Sequence, residues 1–205
     1  MDSRTPAQKA ASLVSALEQH GQGDYIGESI NQLEHSLQAA DQARQSGARD
    51  DLVIAALFHD IGQIIPLDST KEVRMNLRGS TENVGRMGHE AIGAAYLRSL
   101  GFGDTICRLV NSHVAAKRYL TAVDRGYYES LSSASQKSLA FQGGPFQGEE
   151  LEKFNQDPLR DEMVSLRLWD DAAKLEGVES TTPRAGAYLQ MITAHLSQAE
   201  LQESS

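Results

Sequence analysis

Asp51-Leu52-Val53-Ile54-Ala55-Ala56-Leu57-Phe58-His59-Asp60 is apolar almost all round and then closes on an imidazole and a carboxylate. An aspartate, Asp50 or Asp51, suits the start of a helix here. A helix without a polar stripe belongs at the centre of a bundle, so 51–60 is read as a buried third helix. A carboxylate at the end of such a helix is costly unless it is hydrogen-bonded or faces a metal ion.

Outward from this helix, helical spacing dominates. Residues Pro6–His20 put Ala10, Leu13, Val14 and Leu17 on one face, and 30–46 carry Ile30, Leu33, Leu37 and Ala40 before Gly47. Helical pattern resumes over 89–100 and from Asp104 through Ile106, Leu109, Val110 and His113. Further helices are expected at about 149–155, 159–174 and 185–198. Residues 123–129 and 141–145 read as loops, and no β-hairpin or internal repeat is evident. The polar, glycine-containing stretch 66–88 is expected to be a long excursion or lid. The fold class expected is all-α: one helical domain over 1–205, with its core at about 24–175.

Composition narrows the function. The chain has 205 residues and a formal net charge of −9, with 28 acidic against 19 basic side chains. That balance argues against a nucleic-acid partner gripped by an extended basic surface. A single cysteine, Cys107, excludes an internal disulfide and a multi-cysteine zinc site. No apolar run approaches the ~18 residues of a membrane span, and the N-terminus lacks a signal-peptide core. A cytoplasmic, non-membrane protein is the expectation. Oligomeric state is left open.

Of six histidines, four stand where chemistry is expected. His35 lies on the second helix, His59-Asp60 close the third, His89 opens the fourth and His113 ends the fifth. Asp170, in Leu166-Arg167-Leu168-Trp169-Asp170, lies on a core-facing turn. Imidazoles and carboxylates from several helices converging in a bundle core make a metal site. His59-Asp60 alone is also accounted for by helix capping, and Asp171 stands beside Asp170 as an alternative. His20 and His195 are assigned no ligand role.

The series His35, His59-Asp60 and Asp170 resembles the signature of the HD-domain metalloprotein superfamily, and His89 with His113 resembles the extra pair of its dinuclear members. The resemblance implies that His35, His59, Asp60 and Asp170 hold one metal, that Asp60 bridges, and that His89 and His113 hold the other. Dinuclear HD proteins comprise phosphohydrolases and a smaller oxygenase branch that includes inositol oxygenase. Three features are similar to the hydroxyphosphonate C–P-cleaving oxygenases: Lys117 four residues after His113; the strings 117–120, 126–129 and 131–135; and Asp24-Tyr25-Ile26-Gly27-Glu28 with 31–35. The likeness spans about residues 24–175.

That resemblance implies two iron ions in a mixed-valent Fe(II)/Fe(III) pair, with O2 as co-substrate. It implies that Lys117, Ser135 and Arg167 bind the phosphonate. Tyr25 and Glu28 match the pair that gates the second iron and rearranges when substrate arrives, and Glu28 is a candidate counter-charge for a substrate ammonium. In the aminoethylphosphonate enzymes a histidine that helps bind phosphonate stands where this chain has Gln63. On that departure and the enlarged 66–88 stretch, the substrate expected is (R)-1-hydroxy-2-(trimethylammonio)ethylphosphonate, giving glycine betaine and phosphate. The alternatives are (R)-2-amino-1-hydroxyethylphosphonate giving glycine, and an HD-type metal-dependent phosphohydrolase, which the same ligands would serve. A non-catalytic HD-like module should lack a ligand, and none is missing here.

Overall fold

The buried third helix organises the molecule. The computed structural model describes residues 3–25, 27–66, 74–76 and 83–203. In chain order the helices are α1 (Pro6–His20), α2 (Gln32–Gln45), α3 (Asp50–Phe58) and the short α4 (Ile61–Ile64). Strands β1 (Arg74–Asn76) and β2 (Asn83–Arg86) precede α5 (His89–Ser99), α6 (Asp104–Val123), α7 (Arg125–Ser130) and α8 (Ser133–Phe141). The chain ends with α9 (Gly148–Asn155), α10 (Arg160–Ala172), a 3-10 turn (Ala185–Tyr188) and α11 (Leu189–Glu203).

Helix α3 is the core, and Ile54 through Phe58 are wholly excluded from solvent. It packs against α2, α6 and α10, while α6 also covers α5 and α10, and α1 lies on α11. This is the expected all-α bundle. Local chemistry fixes the helix starts: Thr5 and Gln8 form a reciprocal capping box at α1, and Asn31 accepts from the Glu34 amide at α2. Among the described residues no helix is long and apolar enough to cross a membrane.

His59 and Asp60 occupy the break between α3 and α4, so both project from the inner end of the core helix. A glycine contact then brings α5 to them. A Cβ on Gly62 would lie 2.0 Å from the His89 carbonyl oxygen and 2.7 Å from the Gly93 amide nitrogen. Only a residue without a side chain lets these backbones meet, and the meeting sets His89 beside Asp60.

Three expectations are corrected. Residues 125–130 are helical rather than loop, because the Asp124 carboxylate accepts from the Gly126 and Tyr127 amides and caps the turn. A short antiparallel pair, β1 with β2, lies in the polar stretch where no hairpin was expected, in register Arg74 with Arg86 and Asn76 with Asn83. The fifth helix runs past His113 to Val123, carrying Lys117 on the same rod. The lid expected at 66–88 falls largely on residues 67–73 and 77–82, outside the described residues.

Candidate metal centre

The six residues expected as metal ligands are all buried. Each of the four histidines sets Nδ1 against a backbone carbonyl: His35 to Ala173 at 2.8 Å, His59 to Ala56 at 2.8 Å, His89 to Arg86 at 2.9 Å and His113 to Val110 at 2.8 Å. A carbonyl only accepts, so Nδ1 carries the proton and Nε2 presents a lone pair. The Ala173 carbonyl, just past α10, accepts the His35 proton. The other three rings donate to the residue three positions earlier in their own segment.

Those lone pairs converge. His35 Nε2 and His59 Nε2 stand 3.0 Å apart, and His89 Nε2 and His113 Nε2 stand 2.9 Å apart. Asp170 Oδ1 is 3.3 Å from His35 Nε2. Asp60 Oδ1 is 3.2 Å from His89 Nε2 and 3.4 Å from His113 Nε2, while Asp60 Oδ2 is 3.7 Å from His59 and 3.8 Å from His35. Two trios result, His35/His59/Asp170 and Asp60/His89/His113. With Nε2 unprotonated, buried Asp60 Oδ1 has no hydrogen-bond donor. Acceptors packed against acceptors repel unless a cation lies between them. Ligands about 2.1 Å from one ion stand roughly 3 Å apart, so these spacings fit one metal ion per trio. Two imidazoles and one carboxylate with open positions suit iron, and this donor set also suits manganese or zinc.

Burial pushes the Asp60 carboxyl up, but the imidazoles of His59, His113 and His89 outweigh it and hold the group well below the usual carboxylate range. Asp170 is likewise raised by burial and brought well below that range by Arg167, His59 and His35. Burial lowers His59 to about 4, keeping its ring neutral and ready to ligate.

Tyr25 stacks on the His35 ring, centroids 3.8 Å apart and planes 14° apart, and its hydroxyl donates to Asp170 Oδ1 at 3.4 Å. Burial, then Asp170 and Asp60, push the phenol well above its ordinary value, so it keeps its proton. These contacts put Tyr25 at the first trio, whereas the sequence reading had it gate the second iron.

A cavity of about 70 Å3 opens beside both trios. Tyr25, Glu28, Gln63, Lys117, Ser135 and Arg167, all expected as site residues, line it together with Lys174. Lys117 Nζ donates to Ser138 Oγ at 2.8 Å. Burial, then the neighbouring Arg167 charge, lower this amine to about 7. Arg167 is held on two sides: Nη1 meets Asp170 Oδ2 at 2.8 Å, Nη2 meets Asp171 Oδ1, and Nε donates to Asp171 Oδ2 and the Tyr127 hydroxyl, each at 3.0 Å. One N–H on each Nη is left for a ligand. Gln63 Oε1 accepts from the Arg86 amide at 2.8 Å, tying β2 to α4 at the cavity wall.

Three residues here were given no substrate-binding role from sequence, Asp171 having stood only as an alternative to Asp170. Asp171 and Tyr127 aim Arg167, and Lys174 pairs with Glu28 at 3.2 Å. Lys174 lies beyond α10, which ends at Ala172, so no helical spacing marked it.

Comparisons with known proteins name the family. Residues 33–142 match the HD domain model. The chain is 40% identical over 177 residues to the hydroxymethylphosphonate dioxygenase of Gimesia maris, covering 86% of this chain and 84% of that protein. The chain belongs to the HD-domain hydroxyphosphonate C–P-cleaving oxygenases. It is also 37% identical over 163 residues to the [1-hydroxy-2-(trimethylamino)ethyl]phosphonate dioxygenase (glycine-betaine-forming) of Leisingera caerulea, covering 80% of this chain and 79% of that protein. The chain is a metal-dependent oxygenase, and the two candidate metal-holding trios of its bundle core stand beside the cavity.

Proposed function

We propose that the chain is a diiron oxygenase that uses O2 to split the C–P bond of a 1-hydroxyphosphonate, releasing phosphate and a carboxylate. The observation that supports it most is Asp60, whose two oxygens face opposite histidine pairs beside a cavity walled by Lys117 and Arg167. In this reading His35, His59, Asp60 and Asp170 hold one iron, and His89, His113 and the shared Asp60 hold the other. The mixed-valent pair supplies O2 activation and the redox chemistry at C1.

The chain's own residues bind, orient and gate. Lys117, Ser135 and the two spare N–H groups of Arg167 receive the phosphonate oxygens, because a dianion in a low-dielectric pocket needs charge-assisted donors. Asp171 and Tyr127 fix the guanidinium so that its free edge faces the cavity. Tyr25 covers the first trio and must swing off His35 before the substrate hydroxyl reaches it. The reaction balances without a reductant: hydroxyphosphonate plus O2 gives carboxylic acid plus phosphoric acid, and the substrate supplies all four electrons.

Three candidates differ at the carbon beyond C1. The trimethylammonio compound expected from sequence is the substrate in the name of the Leisingera relative, and the primary amine is its close alternative. Hydroxymethylphosphonate is the substrate in the name of the Gimesia relative, and the Lys174–Glu28 pair favours it. Metal analysis with phosphate release under air and under argon tests the reading. Two irons per chain with release only under air is expected. Oxygen-independent release from a phosphate ester, with none from any hydroxyphosphonate, would overturn it.

A further inference from the structure

The cavity end that sequence assigned to a substrate ammonium already holds one. Lys174 Nζ lies 3.2 Å from Glu28 Oε1, 3.3 Å from Ser132 Oγ, 3.4 Å from Ser135 Oγ and 6.0 Å from the centroid of the Tyr25 ring. Carboxylate, hydroxyls and aromatic face are the partners that would recognise a primary or quaternary amine. Both side chains of the pair are mostly shielded, 13% and 17% exposed, so solvent screens them weakly.

We propose that Lys174 is a built-in substitute for a substrate ammonium, so the site selects a hydroxyphosphonate with no cationic nitrogen. The proposal rests on the oxygenase reading above and narrows its substrate. Placement supports it: Arg167 and Asp170 lie on α10 and Lys174 follows two residues after the helix ends, so one short segment brings phosphonate donor, candidate ligand carboxylate and ammonium to the same cavity. A second cation brought into this slot would meet the Lys174 charge and would have to share the Glu28 carboxylate with it. Tyr25 is the only tyrosine, phenylalanine or tryptophan among the described cavity residues, so among them no aromatic cage for a trimethylammonium group surrounds the slot.

Anaerobic titration of the diiron protein with hydroxymethylphosphonate, 2-amino-1-hydroxyethylphosphonate and its trimethylammonio analogue tests this. Wild type, Lys174→Ala and Lys174→Gln are compared, with phosphate release under O2 measured in parallel. Wild type is expected to bind the nitrogen-free compound about 100-fold more tightly than either cationic one, since an unpaired like charge is strongly rejected. Both variants should narrow that ratio by about tenfold or more, because Glu28 then needs a cation. Tighter wild-type binding of a cationic substrate, or a ratio unmoved in both variants, would overturn the proposal. The expected binding order without phosphate release from any compound would leave the slot standing and remove the oxygenase reading instead.

Discussion

Asp60 sets Oδ1 3.2 Å from Nε2 of His89 and keeps its other oxygen turned toward His59 and His35. One carboxylate therefore serves both trios. Asp60→Ala should lower iron content from two per chain to near zero, while Asp170→Ala should remove only the ion of the His35/His59 trio. Metal counting on purified variants checks this, and two irons retained in Asp60→Ala would show that the bridge is misassigned.

The Gly62 contact makes a second test far from any ligand atom. Gly62→Ala places a methyl 2.0 Å from the His89 carbonyl oxygen, so α5 must shift away from α4. The expected result is loss of the metal held by His89 and His113, with the other retained and the helical content unchanged. Circular dichroism and metal analysis read the two parts separately. Gly93→Ala should act in the same direction, because its Cβ would meet Gly62 and Ile61 at 3.1 Å.

Lys117 gives a pH prediction. Its folded pKa of about 7 lies below the unfolded value near 10.4, so the buried ammonium costs the metal-free fold stability. The sign follows: the cost is full below pH 7 and fades as pH rises toward the unfolded value. Lys117→Met should therefore stabilise metal-free protein most at about pH 6, by on the order of a few kcal/mol, with the gain vanishing toward pH 10. Denaturant titrations at both pH values check it. In catalysis, kcat/KM should fall on the alkaline side as the free enzyme's ammonium is lost, and Lys117→Arg should remove that limb. Phosphonate ionisation is common to both enzymes and cancels in the comparison.

Tyr25→Phe should keep the ring on His35 and lose the hydroxyl contact with Asp170. Both irons should remain, and the metal centre should react with O2 several-fold faster in the absence of substrate, because the cover over the first trio is weakened. Stopped-flow absorbance of the reduced protein mixed with O2 reads that rate. A rate equal to wild type would mean that the phenol does not gate the site.

The fold was legible because α3 carries an unbroken apolar sequence and the other helices carry one-sided stripes, and burial follows such patterns. The candidate ligands stood out because a histidine–aspartate pair closes an otherwise apolar helix and the chain's few histidines recur on the neighbouring helices. What sequence could not supply were the contacts made across the chain. The Nδ1 bonds to Ala173 and Arg86 depend on where α10 ends and how β2 turns into α5. The β1–β2 pair carries little apolar alternation, so its polar sequence read as a loop. Glu28 looked available to a substrate because Lys174, some 150 residues away in sequence, meets it only in the folded bundle. The sequence drew Tyr25 into the candidate site, but which trio it covers became visible only from its stacking on His35.

The most direct test is the stoichiometry of O2 consumed to phosphate released from hydroxymethylphosphonate by the diiron enzyme, with no reductant added. The account predicts one O2 per phosphate, with formate as the carbon product and no release under argon. Phosphate released without O2 uptake, or only in the presence of an added electron donor, would contradict it.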